Sequence, residues 1–118
     1  MPRAARSSLP DGVFHVTARA VSDLALFVDD ADRHGFVHQL RQLEARYDVG
    51  CLGYCLMATH YHLLLEGSTD ALQVFMQRLN GGYAARFNRR HRRYGHVFGD
   101  RYTARLVEGE GQLEAVLD

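Results

Sequence analysis

The sequence contains no tryptophan and no lysine, only two prolines and two cysteines, and no apolar run long enough to span a lipid bilayer. Residues 1–10 contain no apolar segment that could serve as the core of a signal peptide. The lack of a long apolar run and of a signal-peptide core predicts a cytoplasmic protein that does not insert into membranes. With 118 residues and 47% hydrophobic content, the chain can form one modest core, so we expect a single domain over residues 1–118.

The two cysteines, Cys51 and Cys55, are too widely spaced for a disulfide within one strand. If both lie on the same strand, the rise per residue separates them by roughly 13 Å, beyond the reach of a disulfide. Two cysteines alone also cannot complete a tetrahedral zinc site. We therefore expect reduced cysteines, as is usual in the cytosol.

Charge is distributed unevenly along the chain although the net charge is zero. All the basic residues are arginines, and eight of the fourteen lie between Arg78 and Arg105, where Asp100 is the only acid. Such a local excess of positive charge favours a polyanionic partner, most often nucleic acid. Seven of these arginines are candidate DNA contacts: Arg86, Arg89, Arg90, Arg92, Arg93, Arg101 and Arg105.

Hydrophobic periodicity predicts the first strand and helix. Residues 12–21 (GVFHVTARAV) are rich in β-branched and aromatic residues and alternate as a strand does. Asp29 or Asp30 can cap a following helix that ends at Gly50. Its apolar stripe has the spacing i, i+4, i+7, i+11: Phe36, Leu40, Leu43 and Tyr47.

The rest of the chain predicts a hairpin, a second helix and a fourth strand. Residues 51–57 and 61–65 are apolar runs separated by a short connection, which favours pairing. Thr69 or Asp70 can cap the second helix, whose inner face would contain Leu72, Phe75, Met76, Leu79, Tyr83 and Phe87. A strand over residues 101–107 and the start of a third helix at 112–117 follow. The order β-α-β-β-α-β predicts an α+β, ferredoxin-like fold with helices on one face of an antiparallel sheet.

Two histidines two residues apart, His60 and His62, are the clearest candidates for a metal site. Side chains alternate across a strand, so the apolar set Tyr61, Leu63 and Leu65 would pack under the helices. Both imidazoles would then project from the opposite, open face, about 7 Å apart at Cα. Two such ligands suit a divalent cation but do not complete its coordination.

Several alternatives remain for this site. The third ligand could be Glu66 or a residue from elsewhere. We expect the first strand to be central, which would place His15 beside the pair. His-x-His could also be simply the solvated face of an amphipathic strand. Other histidines fit surface positions better: His34 and His38 on a charged helix face, and His91 and His96 among the arginines.

Two segments, CLMATHYHLLLEG and MQRLNGGYAARFNRRHRRYGHVFGDRY, closely resemble the REP-associated tyrosine transposases. These proteins are relatives of the single-tyrosine insertion-sequence transposases in the HUH endonuclease superfamily. The similarity extends over nearly the whole chain and includes the first strand, the aspartate-rich helix start and the hairpin. One departure lies before the first histidine, where this chain has Ala58-Thr59 and the family usually has proline and asparagine.

This resemblance implies transposition of single-stranded or hairpin DNA. A tyrosine hydroxyl would attack a phosphodiester to form a 5′-phosphotyrosine, with Mg²⁺ or Mn²⁺ held by His60 and His62. The family's tyrosine lies on the helix after the last strand, and we expect its position to fall beyond Asp118. The chain would then bind metal and DNA but lack the nucleophile, and a homodimer is compatible with the sequence. The competing hypothesis is a non-catalytic module that binds structured nucleic acid without metal.

Overall fold

Alternating side chains and two capped apolar stripes produce the elements of the computed structural model, which describes residues 12–107. The strands are β1 (Gly12–Arg19), β2 (Val49–Leu56), β3 (His60–Gly67) and β4 (Thr103–Leu106). The helices are α1 (Asp30–Arg46) and α2 (Thr69–His91), and a short 3-10 turn spans Val21–Asp23. Neither α1 nor α2 is both long enough and apolar enough to cross a lipid bilayer. The predicted helix at 112–117 lies outside the described residues.

The four strands form one sheet in the order β2-β3-β1-β4, and every neighbouring pair is antiparallel. Strands β1 and β3 are therefore central, with Gly12 opposite Gly67 and Arg19 opposite His60. This arrangement confirms the predicted α+β, ferredoxin-like fold. It also confirms the prediction that β1 is central, which brings its side chains beside those of β3.

The core lies between one face of the sheet and the two helices. From β3 it takes Tyr61, Leu63 and Leu65, each at most 1% exposed. The whole predicted inner face of α2 is buried, as are the α1 residues Phe36, Leu40 and Leu43. Burial of one face in this way leaves the other face of the sheet, here called the open face, without a helix from residues 12–107.

The observed helix caps and ends differ in part from the predicted ones. Asp29, one of two predicted caps, accepts a hydrogen bond from Asp32 N at 3.1 Å and starts α1. Helix α1 ends at Arg46 rather than at Gly50, because Tyr47 is already extended and Gly50 belongs to β2. Helix α2 is capped by Ser68, not by Thr69 or Asp70. The buried Ser68 hydroxyl accepts a hydrogen bond from Ala71 N at 3.1 Å.

Helix α2 continues through Gly81-Gly82, where the sequence indicates a weak point. At Gly82 an added Cβ would lie 1.9 Å from Gln39 Nε2 of α1. Gln39 itself donates to the carbonyl of Arg78 at 3.1 Å. The glycine therefore leaves room for the Gln39 amide, whose hydrogen bond joins the two helices.

Candidate metal and nucleic-acid site

Strand β3 presents His60 and His62 together on the open face. Their ring centroids are 5.1 Å apart, and the rings meet edge to face. The intervening Tyr61 turns into the core, as the alternation predicts. The two imidazoles are thus neighbours on a surface that α1 and α2 do not cover.

Neighbouring side chains engage the Nδ1 atom of each ring. His62 Nδ1 lies 2.9 Å from His15 Nε2 and 3.2 Å from Thr17 Oγ1, both on β1. His60 Nδ1 lies 3.4 Å from Thr59 Oγ1. Within residues 12–107 the Nε2 atoms of His60 and His62 have no hydrogen-bond partner, so both remain available as ligands. A ligating histidine is commonly oriented in this way through its other ring nitrogen.

The local environment favours the neutral form of His62. Burial lowers the pKa of this imidazole, and the neighbouring His15, His60 and Arg19 lower it further through charge repulsion. A neutral imidazole carries the lone pair that a metal ion needs. The half-buried position of His62 on the sheet therefore suits it to metal binding near neutral pH.

The two histidines fit a divalent cation as a partial ligand set. Among the residues that the structure describes, no three His, Cys, Asp or Glu side chains are grouped to hold a metal ion. Glu66 shares the open face but lies four residues from His62, opposite Val13. A metal bound by His60 and His62 would need further ligands besides these two imidazoles.

All six tyrosines of the chain lie within residues 12–107. In that range no tyrosine hydroxyl forms a hydrogen bond with His60 or His62. The Tyr61 hydroxyl donates to Asn80 Oδ1, and that of Tyr83 donates to Leu26 O at 2.6 Å. Burial raises the pKa of both phenols. These two tyrosines therefore act as buried packing residues.

Strands β1 and β4 add further residues to the open face, and only some of them were predicted from the sequence. Arg105, a predicted DNA contact, lies opposite His15 in the β1–β4 pair. Arg19 lies opposite His60 and is exposed, yet sequence reasoning did not single it out. Thr17 was also missed. The signal for both was their spacing from His15, since residues 15, 17 and 19 alternate to the same face of β1.

The other predicted arginines lie on or near α2 and differ in their contacts. Arg89 and Arg92 are exposed at the carboxyl end of α2, and Arg101 lies beside α2 just before β4. Arg86 packs against Gly35 of α1, and Arg93 donates to Asn88 Oδ1 at 2.8 Å.

Arg90, by contrast, is held within the fold by two aspartates. It forms ion pairs of 2.7 Å with both Asp29 and Asp32. His91 also bonds to Asp32, with Nε2 2.9 Å from Oδ2. The remaining histidines, His34, His38 and His96, are exposed as predicted.

The open face combines the paired histidines of β3 with Arg19 on β1 and Arg105 on β4. The family model described as "Transposase IS200 like" matches residues 12–118. The chain therefore belongs to the IS200-like transposase family. No curated protein matches the sequence.

Two solved structures have a similar fold. One is a protein from Deinococcus radiodurans R1 named as a transposase, with a TM-score of 0.69 and 17% identity over 98% of this chain and 92% of that chain. The other is a REP-associated tyrosine transposase bound to a REP hairpin, with a TM-score of 0.74 and 8% identity. That alignment covers 98% of this chain and 67% of the other.

Proposed function

We propose that this chain is a DNA transposase domain that binds single-stranded or hairpin DNA on its open face beside a divalent metal held by His60 and His62. The observation that carries the proposal is the pair of oriented imidazoles, each with Nδ1 engaged and Nε2 available. Membership of the IS200-like transposase family supports DNA as the substrate. The similar structure that is bound to a REP hairpin supports a folded single strand as the form of that DNA.

On the open face the histidines would bind the metal and the arginines would bind the DNA. Mg²⁺ or Mn²⁺, when bound, would act as a Lewis acid that polarises the scissile phosphate. His60 and His62 would hold it, while His15 and Thr17 keep the His62 ring oriented. Arg19 and Arg105 flank the histidines and would bind phosphates on either side of the reacting one.

In the family's reaction a tyrosine hydroxyl attacks the phosphorus, the 3′-oxygen leaves, and a 5′-phosphotyrosine forms. The covalent link conserves the energy of the broken ester for rejoining. We assign this step to none of the six tyrosines of residues 12–107. For residues 12–107 as a whole, we propose metal binding and DNA binding.

The test is Mn²⁺ affinity measured by isothermal titration calorimetry on the wild type and on His60→Ala and His62→Ala. Each substitution should weaken Mn²⁺ binding about tenfold or more, because each removes one of two imidazole ligands. His38→Ala, an exposed histidine on α1, is the matched control and should bind Mn²⁺ as the wild type does. All four proteins should have the same melting temperature.

The competing hypothesis is a nucleic-acid-binding module without a metal. It predicts that Mn²⁺ affinity is the same in all four proteins and that EDTA leaves DNA binding unchanged. That result would overturn the metal site while leaving a role for the arginines.

A further inference from the structure

A groove of about 390 Å³ lies between α2 and residues 100–102, which lead into β4. It lies on the helix side of the sheet, behind the histidines, and has no role in the metal site. Its volume falls within the range of small-molecule and nucleotide pockets. One wall comes from α2 and the other from the chain before β4.

The α2 wall is a stripe of side-chain amides. Gln73, Gln77 and Asn80 follow the spacing i, i+4, i+7 and so line one face of the helix. Between them Met76 is fully buried and forms an apolar floor. Carboxamides above an apolar floor suit a planar group that has both hydrogen-bond donors and acceptors.

Asn80 is held in place from behind. Its Oδ1 accepts the hydroxyl proton of the buried Tyr61, which leaves Nδ2 as a donor. Within the described part of the chain, Nδ2 has no acceptor, and the side chains of Gln73 and Gln77 have no hydrogen-bond partner. The stripe therefore offers an oriented donor and two adaptable amides.

The opposite wall combines charge with an aromatic side chain. Arg101 is exposed and forms no ion pair within residues 12–107, Asp100 lies next to it, and Tyr102 packs partly against the core. The adjacent acid makes this wall unfavourable for an isolated anion. A neutral polar ring attached to one phosphate fits it better, because Arg101 can bind the phosphate while Tyr102 contributes an aromatic surface.

We infer that this groove binds an unpaired nucleobase of the DNA strand. The inference rests on the proposed function, which supplies the strand. Side-chain amides form paired hydrogen bonds with base edges, above all with adenine. The groove therefore takes a base that is not held in a duplex.

The edge strand β4 connects the groove with the open face. Arg101 lies at the groove, and Arg105 lies opposite His15 on the open face. The rise per residue separates the two positions by about 13 Å. A single strand can therefore pass around β4, with its base in the groove on one side and its phosphates at the histidines on the other.

The experiment compares two 12-mers by fluorescence anisotropy at a fixed salt concentration. One is oligodeoxyadenylate, and the other has the same phosphates but abasic sugars. The wild type should bind the base-bearing strand about tenfold more tightly. Gln73→Ala combined with Gln77→Ala should reduce this ratio by about threefold or more, with unchanged affinity for the abasic strand.

Two controls separate base recognition from charge and folding. Gln42→Ala changes an exposed amide on α1 and should leave the ratio at its wild-type value. Arg101→Ala should weaken binding of both strands equally, because it removes a phosphate contact. Circular dichroism should show the same melting temperature for all variants, since the substituted side chains are exposed.

A ratio in the double variant equal to that of the wild type would overturn the inference, as would a wild type that does not distinguish the two strands. Neither result affects the metal proposal, which is tested by Mn²⁺ affinity. A wild type that binds neither strand would also overturn the inference, and with it the proposed binding of unstructured single-stranded DNA.

Discussion

The molecule contains two polar clusters that differ in how completely they are paired. At the helix ends, Asp29, Asp32, Arg90 and His91 form what we call the helix-end cluster. Asp32 is 2% exposed and accepts from Val28 N at 3.0 Å, from Arg90 at 2.7 Å and from His91 at 2.9 Å. On the open face, by contrast, the Nε2 atoms of His60 and His62 have no partner within residues 12–107.

This difference separates a structural cluster from a binding cluster. In the helix-end cluster, acids at the start of α1 meet bases at the end of α2, an arrangement that also suits the two helix dipoles. Its charges satisfy one another and connect the helices. The histidines of the open face are oriented but not satisfied, which is the condition for binding something from outside the chain.

The largest effect is expected from breaking the helix-end cluster at its buried acid. Asp32→Ala removes the acceptor for Val28 N, Arg90 and His91 together. The free energy of unfolding should fall by about 2 kcal/mol, because partly buried donors lose their acceptor. Urea denaturation measures this change. Mn²⁺ affinity of the folded variant should be unchanged, and a simultaneous loss would show that the two clusters are coupled.

Acid titration provides the matching control. Burial raises the pKa of Asp32, but hydrogen bonds from Val28 N, His91 and Arg90 outweigh it, so its net pKa lies below the usual value. The hydrogen bond from Arg90 lowers the pKa of Asp29 to about 2. Both groups therefore stabilise the fold above their unfolded-state pKa of about 4, and this stability is lost as the pH falls below it. Asp32→Asn should lose less stability over that range than the wild type, and an identical loss would contradict the assignment.

A smaller effect is expected from the residue that orients the metal site. His15→Ala removes the group 2.9 Å from His62 Nδ1, so Mn²⁺ affinity should fall by about tenfold. His15→Gln retains a hydrogen-bonding side chain and should recover part of the loss. Calorimetric titration at one pH compares the three proteins. Equal affinity in all of them would show that Thr17 alone is sufficient to orient the ring.

The fold was predictable because it follows from periodicity. The apolar stripe of α2 and the alternation of β3 are local patterns, and both predict the buried face correctly. Boundaries were less accurate because a cap depends on individual hydrogen bonds. Ser68 caps α2 because its hydroxyl reaches Ala71 N, although Thr69 and Asp70 are equally common caps in sequence.

The candidate site was only partly predictable from sequence. Alternation places His60 and His62 on one face, and a central β1 brings His15 beside them. Pairing between distant residues was not accessible in this way. Arg90 looks like its neighbour Arg89 in sequence, but it meets an aspartate 61 positions away, and no local pattern indicates that contact.

The adjacent arginines Arg89 and Arg90 provide the smallest and most selective test of the contrast between the clusters. Arg89→Ala removes an exposed charge that forms no ion pair within residues 12–107. DNA affinity should fall by about threefold and the slope of log affinity against log salt by about one, with unfolding unchanged. Arg90→Ala should mainly lower stability, by less than Asp32→Ala does, because Asp32 retains its other partners. Salt-dependent anisotropy and urea denaturation on both variants measure the two effects. If Arg90→Ala reduces DNA affinity as much as Arg89→Ala and leaves stability intact, the helix-end cluster opens to bind DNA, and the division drawn between the clusters is wrong.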